Sequence, residues 1–245
     1  MEMAYIWLVL ISFIGGFLQA AIGFGYATIV MVFFPLFLPS IPVASTVCAV
    51  LSLLASSTMF FQYRKAARPK HVLWPILIYF VVMPFAVAWS TSAPKLILSI
   101  VFGLFLVLLG LYYLFTADKI RIPCTPGAGM IVGLLSGVFG GLFSVSAPPT
   151  ALYCLSTLDT KEAYIGTLQF FFFVTNLYAI GVRAFSGLVT SQVLVWSLVA
   201  SGGLFIGLWL GQTILYKRAD LSRIKHWVFL FIACMGVWTV VSNFI

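Results

Sequence analysis

The stretch Gly15-Gly16-Phe17-Leu18-Gln19-Ala20-Ala21-Ile22-Gly23-Phe24-Gly25 lies inside an apolar run from Tyr5 to Leu38, and Gly133-Leu134-Leu135-Ser136-Gly137-Val138-Phe139-Gly140-Gly141 lies inside another from Gly127 to Leu155. Both runs are longer than the roughly 20 residues that one crossing of the hydrocarbon core requires. Both are also interrupted, the first by its glycines and by Pro35 and Pro39, the second by Gly129, its own glycines and Pro148-Pro149. Sliding the chain so that Gly16 falls on Gly133 lays Gly23 on Gly140 and brings Phe34-Pro35 near Pro148-Pro149. A single glycine is explained by close helix packing. Two broken segments in corresponding places of two halves point instead to the binding site of a transporter.

The rest of the chain fits that frame. Further apolar runs cover Val43 to Tyr63, Val72 to Trp89, Pro94 to Phe115, Thr160 to Val182, Gln192 to Leu215 and Lys225 to Phe244. They are continuous rather than alternating, so they read as membrane helices and not as strands of a barrel. Only 7% of residues are charged and 63% are hydrophobic, against about a quarter charged in soluble domains. The expected fold is an all-α polytopic membrane protein, one membrane domain over 1–245. Repeat one covers 4–116, repeat two 127–245, and a short cytoplasmic linker 117–126 joins them. The first residues, Met1-Glu2-Met3-Ala4, lack the basic region of a cleaved signal peptide, so the first run is expected to be retained.

The formal charge of +8 comes from 13 Lys and Arg against 5 Asp and Glu. Because the cations cluster between apolar runs, they speak for membrane orientation and against a nucleic-acid partner. If every run crossed once, Arg64, Lys65, Arg68, Lys70, Lys119, Arg121 and Arg183 would face Lys95, Lys161, Lys217, Arg218, Arg223 and Lys225, seven against six. If the first and fifth runs are re-entrant hairpins, only Lys95 and Arg183 lie outside, leaving eleven of the 13 in the cytoplasm. The second arrangement obeys the positive-inside rule and places the basic loops 64–71 and 217–226 in the cytoplasm of a bacterial-type inner membrane. It also makes each repeat a hairpin plus three crossings, so the two repeats are expected to be inverted, as alternating access requires.

Non-helical backbone at membrane depth is tolerated only where protein or a watery cavity covers it. The glycine turns therefore mark the expected site: Gln19, Gly23, Phe24, Gly25 and Thr28 around the first, Ser136, Gly140, Gly141, Ser144 and Ser146 around the second. Helices that start after such turns aim unpaired N–H groups at the cavity and can bind an anion without a charged side chain. Gln169 and Asn176, seven residues apart on one helix face, are bulky polar groups suited to substrate contact or to bonding between helices. No carboxylate falls within a run to suggest a cation site or proton relay, and Arg183 is expected at the outer membrane edge. Cys48, Cys124, Cys154 and Cys234 stand alone, with no metal-ligand spacing, and neither a metal nor a cofactor is expected. An enzyme is not expected either, since no span carries a nucleophile with a base, paired aspartates or an HExxH helix.

The two glycine stretches, with Pro148 and the later Lys161-Glu162-Ala163 leading to Gly166-Thr167, resemble the TauE/SafE family of proposed sulfite and organosulfonate exporters. The resemblance covers nearly the whole chain. It implies a multi-spanning plasma-membrane transporter of small sulfur-containing anions, driven by an ion gradient such as protons or sodium and lacking a nucleotide-binding domain. The expectation is a secondary carrier working by alternating access, with an anion channel of the same architecture or a non-transporting scaffold as alternatives. Which anion moves, and in which direction, is not written in these residues.

Overall fold

A computed structural model describes residues 2–115, 122–218 and 233–241. The described residues are predominantly helical: α1 (Glu2–Ile22), α2 (Tyr26–Phe37), α3 (Ile41–Tyr63), a 3-10 turn (Pro69–Val72) leading into α4 (Leu73–Ser92), α5 (Lys95–Phe115), α6 (Pro126–Phe143), α7 (Ala147–Thr157), α8 (Lys161–Phe185) and α9 (Ser191–Arg218). A further helical stretch covers 233–241, and no strand occurs among the described residues. Half of the expected linker 117–126 and most of the basic loop 217–226 lie outside the described residues, as does most of the last apolar run.

Among the described residues, six helices are long and apolar enough to cross a membrane: Met3–Ile22, Ile41–Tyr63, Pro69–Ser92, Pro126–Phe143, Lys161–Phe185 and Ser191–Thr213. Large apolar side chains such as Phe85, Leu108, Leu198 and Trp209 point outward. Such a surface is insoluble in water and suited to lipid, so the chain is a multi-pass membrane protein.

The two hairpins were expected to consist of paired half-helices. Each instead joins a long arm to a short one: 21 residues in α1 against 12 in α2, and 18 in α6 against 11 in α7. At 1.5 Å per residue the short arms reach only about half of the roughly 30 Å hydrocarbon core. Helix α1 runs unbroken through Gly15-Gly16, because those glycines serve packing and not bending. A Cβ on Gly16 would lie 2.6 Å from the Leu204 carbonyl oxygen, and one on Gly15 would lie 2.9 Å from the Tyr26 ring. The break falls at Gly23 and Gly25, which hold φ at 88° and 109°, a left-handed region that L side chains enter at a cost. Each short arm then folds back along its long one. In the first hairpin Trp7 stacks on Phe37 and the Ser12 and Tyr26 hydroxyls lie 3.0 Å apart; in the second Ser136 and Thr150 are joined at 2.8 Å.

Small residues fix how the hairpins meet the rest. Gly203, Gly207 and Gly211 of α9 lie against the backbone at Val9, Phe13 and Phe17 of α1, so these helices run parallel. Gly129, Gly133, Gly137 and Gly141 of α6 lie against Pro75, Ile78, Val82 and Ala86 of α4, again in parallel. Spacing by four places each glycine set on one face, the close-contact stripe typical of membrane helices. Between these pairs, α3 and α8 run antiparallel: Ser45 meets Arg183 at one end and Tyr63 meets Gly166 at the other. Elements of the two halves begin at Tyr26 and Ala147 and at Ile41 and Lys161, a spacing slightly longer than the one that lays Gly16 on Gly133.

Candidate functional site

The two broken turns converge on a small cavity of about 20 Å³ between the middle of α3 and the middle of α8. Helix α1 contributes Gln19, the start of α2 contributes Gly25 and Ala27, and α3 contributes Ser52. The second turn supplies Ser144, Ser146 and Ala147, and α8 supplies Phe172 and Asn176. Five of the residues expected from the sequence therefore share one cavity: Gln19, Gly25, Ser144, Ser146 and Asn176. No carboxylate lines it among the described residues.

Their chemistry differs. Gln19 and Asn176 are only 4% and 7% exposed, and neither side-chain amide has a hydrogen-bond partner among the described residues. Both amides line the cavity, so it presents polar groups to a guest. The Ser146 hydroxyl is likewise uncommitted. Ser144 is not: it donates to the Ser45 carbonyl oxygen at 2.6 Å and accepts from Arg183 at 3.1 Å, leaving no proton for a solute. It lines the cavity, but its hydroxyl holds the turn closed.

The helix ends also differ. The first turn of α2 offers the N–H groups of Tyr26, Ala27 and Thr28, which have no intrahelical acceptor, and the first backbone bond runs from Ile29 to Gly25. Helix α7 starts Ala147-Pro148-Pro149, and proline has no N–H. The two helix ends are thus not equivalent: α2 presents three N–H groups without intrahelical acceptors, whereas Ala147 alone keeps one among the first three residues of α7. The other expected residues support the site from behind. Thr28 and Phe24 are buried beside the first turn. The Ser136 hydroxyl is spent on the Ser146 carbonyl and Thr150. Gly140 and Gly141 offer carbonyls, not amides, toward Arg183.

Helix α8 carries both turns. Gln169 donates from Nε2 to the Gly23 carbonyl at 2.6 Å, gripping the first turn, while its Oε1 is buried without a partner. Two helical turns on, Asn176 faces the cavity. Two more turns on, Arg183 reaches the second turn: Nη1 donates to the Ser45 hydroxyl at 2.9 Å, and Nη2 donates to the Gly141 carbonyl at 2.9 Å and the Gly140 carbonyl at 3.2 Å. Arg183 was expected at the outer edge of the membrane and is instead fully buried. The carbonyl-rich C-terminal end of α6 draws the cation inward. The sequence signal for this was present, since Gln169, Asn176 and Arg183 recur every seven residues and share one face of a helix. Ser45 and Ser52 of α3 repeat with the same spacing on the facing helix.

Polytopic helices around a buried cavity, closed by two broken hairpins, are an architecture suited to membrane transport. The chain belongs to the Sulfite exporter TauE/SafE family, whose model matches residues 8–239. It is thus a member of a family of transporters of sulfur compounds. No curated protein and no solved structure matches the chain.

Proposed function

We propose that this protein is a secondary carrier for a small sulfur oxyanion, sulfite or an organosulfonate, which occupies the cavity between the two hairpin turns. The observation that carries this reading is the pair of unpartnered amides, Gln19 and Asn176, facing the same space as the free N–H groups of α2. Together they offer only donors and neutral groups to a solute, the recognition set of an anion in a dry site. The cavity has room for little more than a water-sized group, so it excludes any larger metabolite.

The route is alternating access. Repeat one, 4–116, and repeat two, 127–245, are inverted copies that rock about the fixed cavity, α3 against α8. Three observations support this: the antiparallel α3 and α8, the parallel α1 and α9, and the parallel α4 and α6. That set is what a two-fold axis in the membrane plane generates. A proton or sodium gradient drives the cycle, the membrane is a bacterial-type inner membrane, and the basic loops 64–71 and 217–226 face the cytoplasm.

Purified protein in liposomes tests this with radiolabelled sulfite and sulfoacetate. Saturable uptake that depends on an imposed ion gradient is expected. Non-saturating passive conductance would make the protein a channel, and no flux of any sulfur anion would leave it a scaffold; either result overturns the carrier.

A further inference from the structure

The most unusual group in the molecule is Arg183, a permanently charged side chain with no solvent exposure inside a membrane helix. A buried guanidinium ordinarily sits against a carboxylate, because an unpaired charge in a low-dielectric interior is expensive. All its acceptors here are neutral: the carbonyls of Gly140 and Gly141 and the hydroxyls of Ser45 and Ser144. Its Nε is buried with no hydrogen-bond partner among the described residues. The helix-end carbonyls supply only partial negative charge. A net positive charge is left over.

That charge does not touch the cavity. It lies one hydrogen bond behind the wall, because Ser144 both lines the cavity and accepts from Nη2. In a water-poor site, a unit charge acts across one intervening side chain with little screening.

Resting on the carrier reading above, we infer that Arg183 is the specificity-determining charge of the carrier: it selects anions over neutral molecules of the same shape without contacting them. Gln19, Asn176 and the α2 amides supply hydrogen bonds that a neutral sulfone accepts as well as a sulfonate does. The preference for net charge comes from Arg183. The solute in turn completes the neutralisation that the protein leaves unfinished.

A purely structural role, in which Arg183 only ties the second turn to α3 and α8, predicts a different outcome, and two substitutions separate the two. Arg183→Gln keeps donors but removes the charge. Ser45→Asp keeps Arg183 and strengthens its tie to α3, but cancels its charge in place. The measurement is isothermal titration of the full-length detergent-solubilised protein with methanesulfonate and with its neutral isostere dimethyl sulfone. The unmodified protein is expected to favour methanesulfonate by about tenfold or more, as one unit charge at this remove provides at an effective dielectric near 20. R183Q and S45D should bind the two probes about equally, and Arg183→Lys should retain most of the preference. If R183Q fails to fold, S45D decides alone. An unchanged preference in S45D, or in a folded R183Q, overturns the assignment. Asn176→Ala separates the assignment from the reading beneath it, since it should weaken both probes in parallel and leave their ratio intact. A protein that binds neither probe overturns the carrier site and the role of Arg183 together.

Discussion

The two hairpin turns stand in corresponding places yet solve the same problem by different means. The first turn is made of glycine: Gly23 and Gly25 take left-handed φ, the α2 amides are left open, and an uncharged side chain, Gln169, grips the Gly23 carbonyl. The second turn puts a serine, Ser144, at φ 56°, removes two amides with Pro148 and Pro149, and is gripped by a buried cation. A non-glycine residue in the left-handed region persists only where its surroundings over-determine it, and Ser144 is held through both Ser45 and Arg183. The difference teaches a division of labour. In the carrier proposed above, one turn presents donors to the solute and the other carries the charge that selects it. A transporter of this design needs no charged residue in its cavity.

The comparison breaks most easily at the turns themselves. Gly23→Leu forces an L side chain into left-handed backbone at roughly 1–2 kcal/mol and misdirects the α2 amides. Gly140→Leu drives a side chain into the Tyr79 ring, where a Cβ would already lie 2.7 Å from Cε2. Both should abolish uptake in liposomes while the protein still inserts, as judged by its yield in membrane fractions. Normal transport by either variant would place the solute elsewhere.

A smaller effect is expected at the cavity amides. Asn176→Ala or Gln19→Ala should raise the apparent KM for the transported anion by about tenfold, in keeping with the 1.5–3 kcal/mol of a hydrogen bond to a charged group. The melting temperature should stay level or rise, because each change deletes a buried amide that has no protein partner. A drop in stability with no change in KM would make these residues structural.

The smallest effect sharpens the asymmetry. Replacing Pro148 and Pro149 together by alanine restores two N–H groups to the start of α7. A gain in anion affinity of about threefold or less is expected, since the helix end contributes up to roughly 1 kcal/mol. A loss of affinity would mean that the prolines shape the turn more than they thin its donors.

Much of this arrangement was legible in the residues. Membrane helices follow from the uninterrupted apolar runs, and the two turns from glycine and proline breaks that recur in corresponding places. Gln19, Gly25, Ser144 and Ser146 follow from their nearness to those breaks, and Asn176 from being a bulky polar group within a membrane helix. What the residues hid was partnership. Gly15-Gly16 looks like a break in sequence but is a contact, and only the approach of α9 and Tyr26 distinguishes the two. Ser144 and Ser136 look like donors to a solute until their protons are found on the carbonyls of Ser45 and Ser146. Arg183 looks like an edge residue because charge belongs at the membrane surface. Its burial depends on the carbonyl-rich end of α6, which folding brings from a distant part of the chain.

The central claim is that the anion lies between the two turns, and anomalous diffraction from crystals soaked in selenite, the heavier relative of sulfite, tests it most directly. The account predicts a selenium peak within hydrogen-bonding reach of the Asn176 and Gln19 amides and the start of α2, separated from Arg183 by Ser144. A selenium peak at another place in the bundle, with this cavity empty, would contradict it.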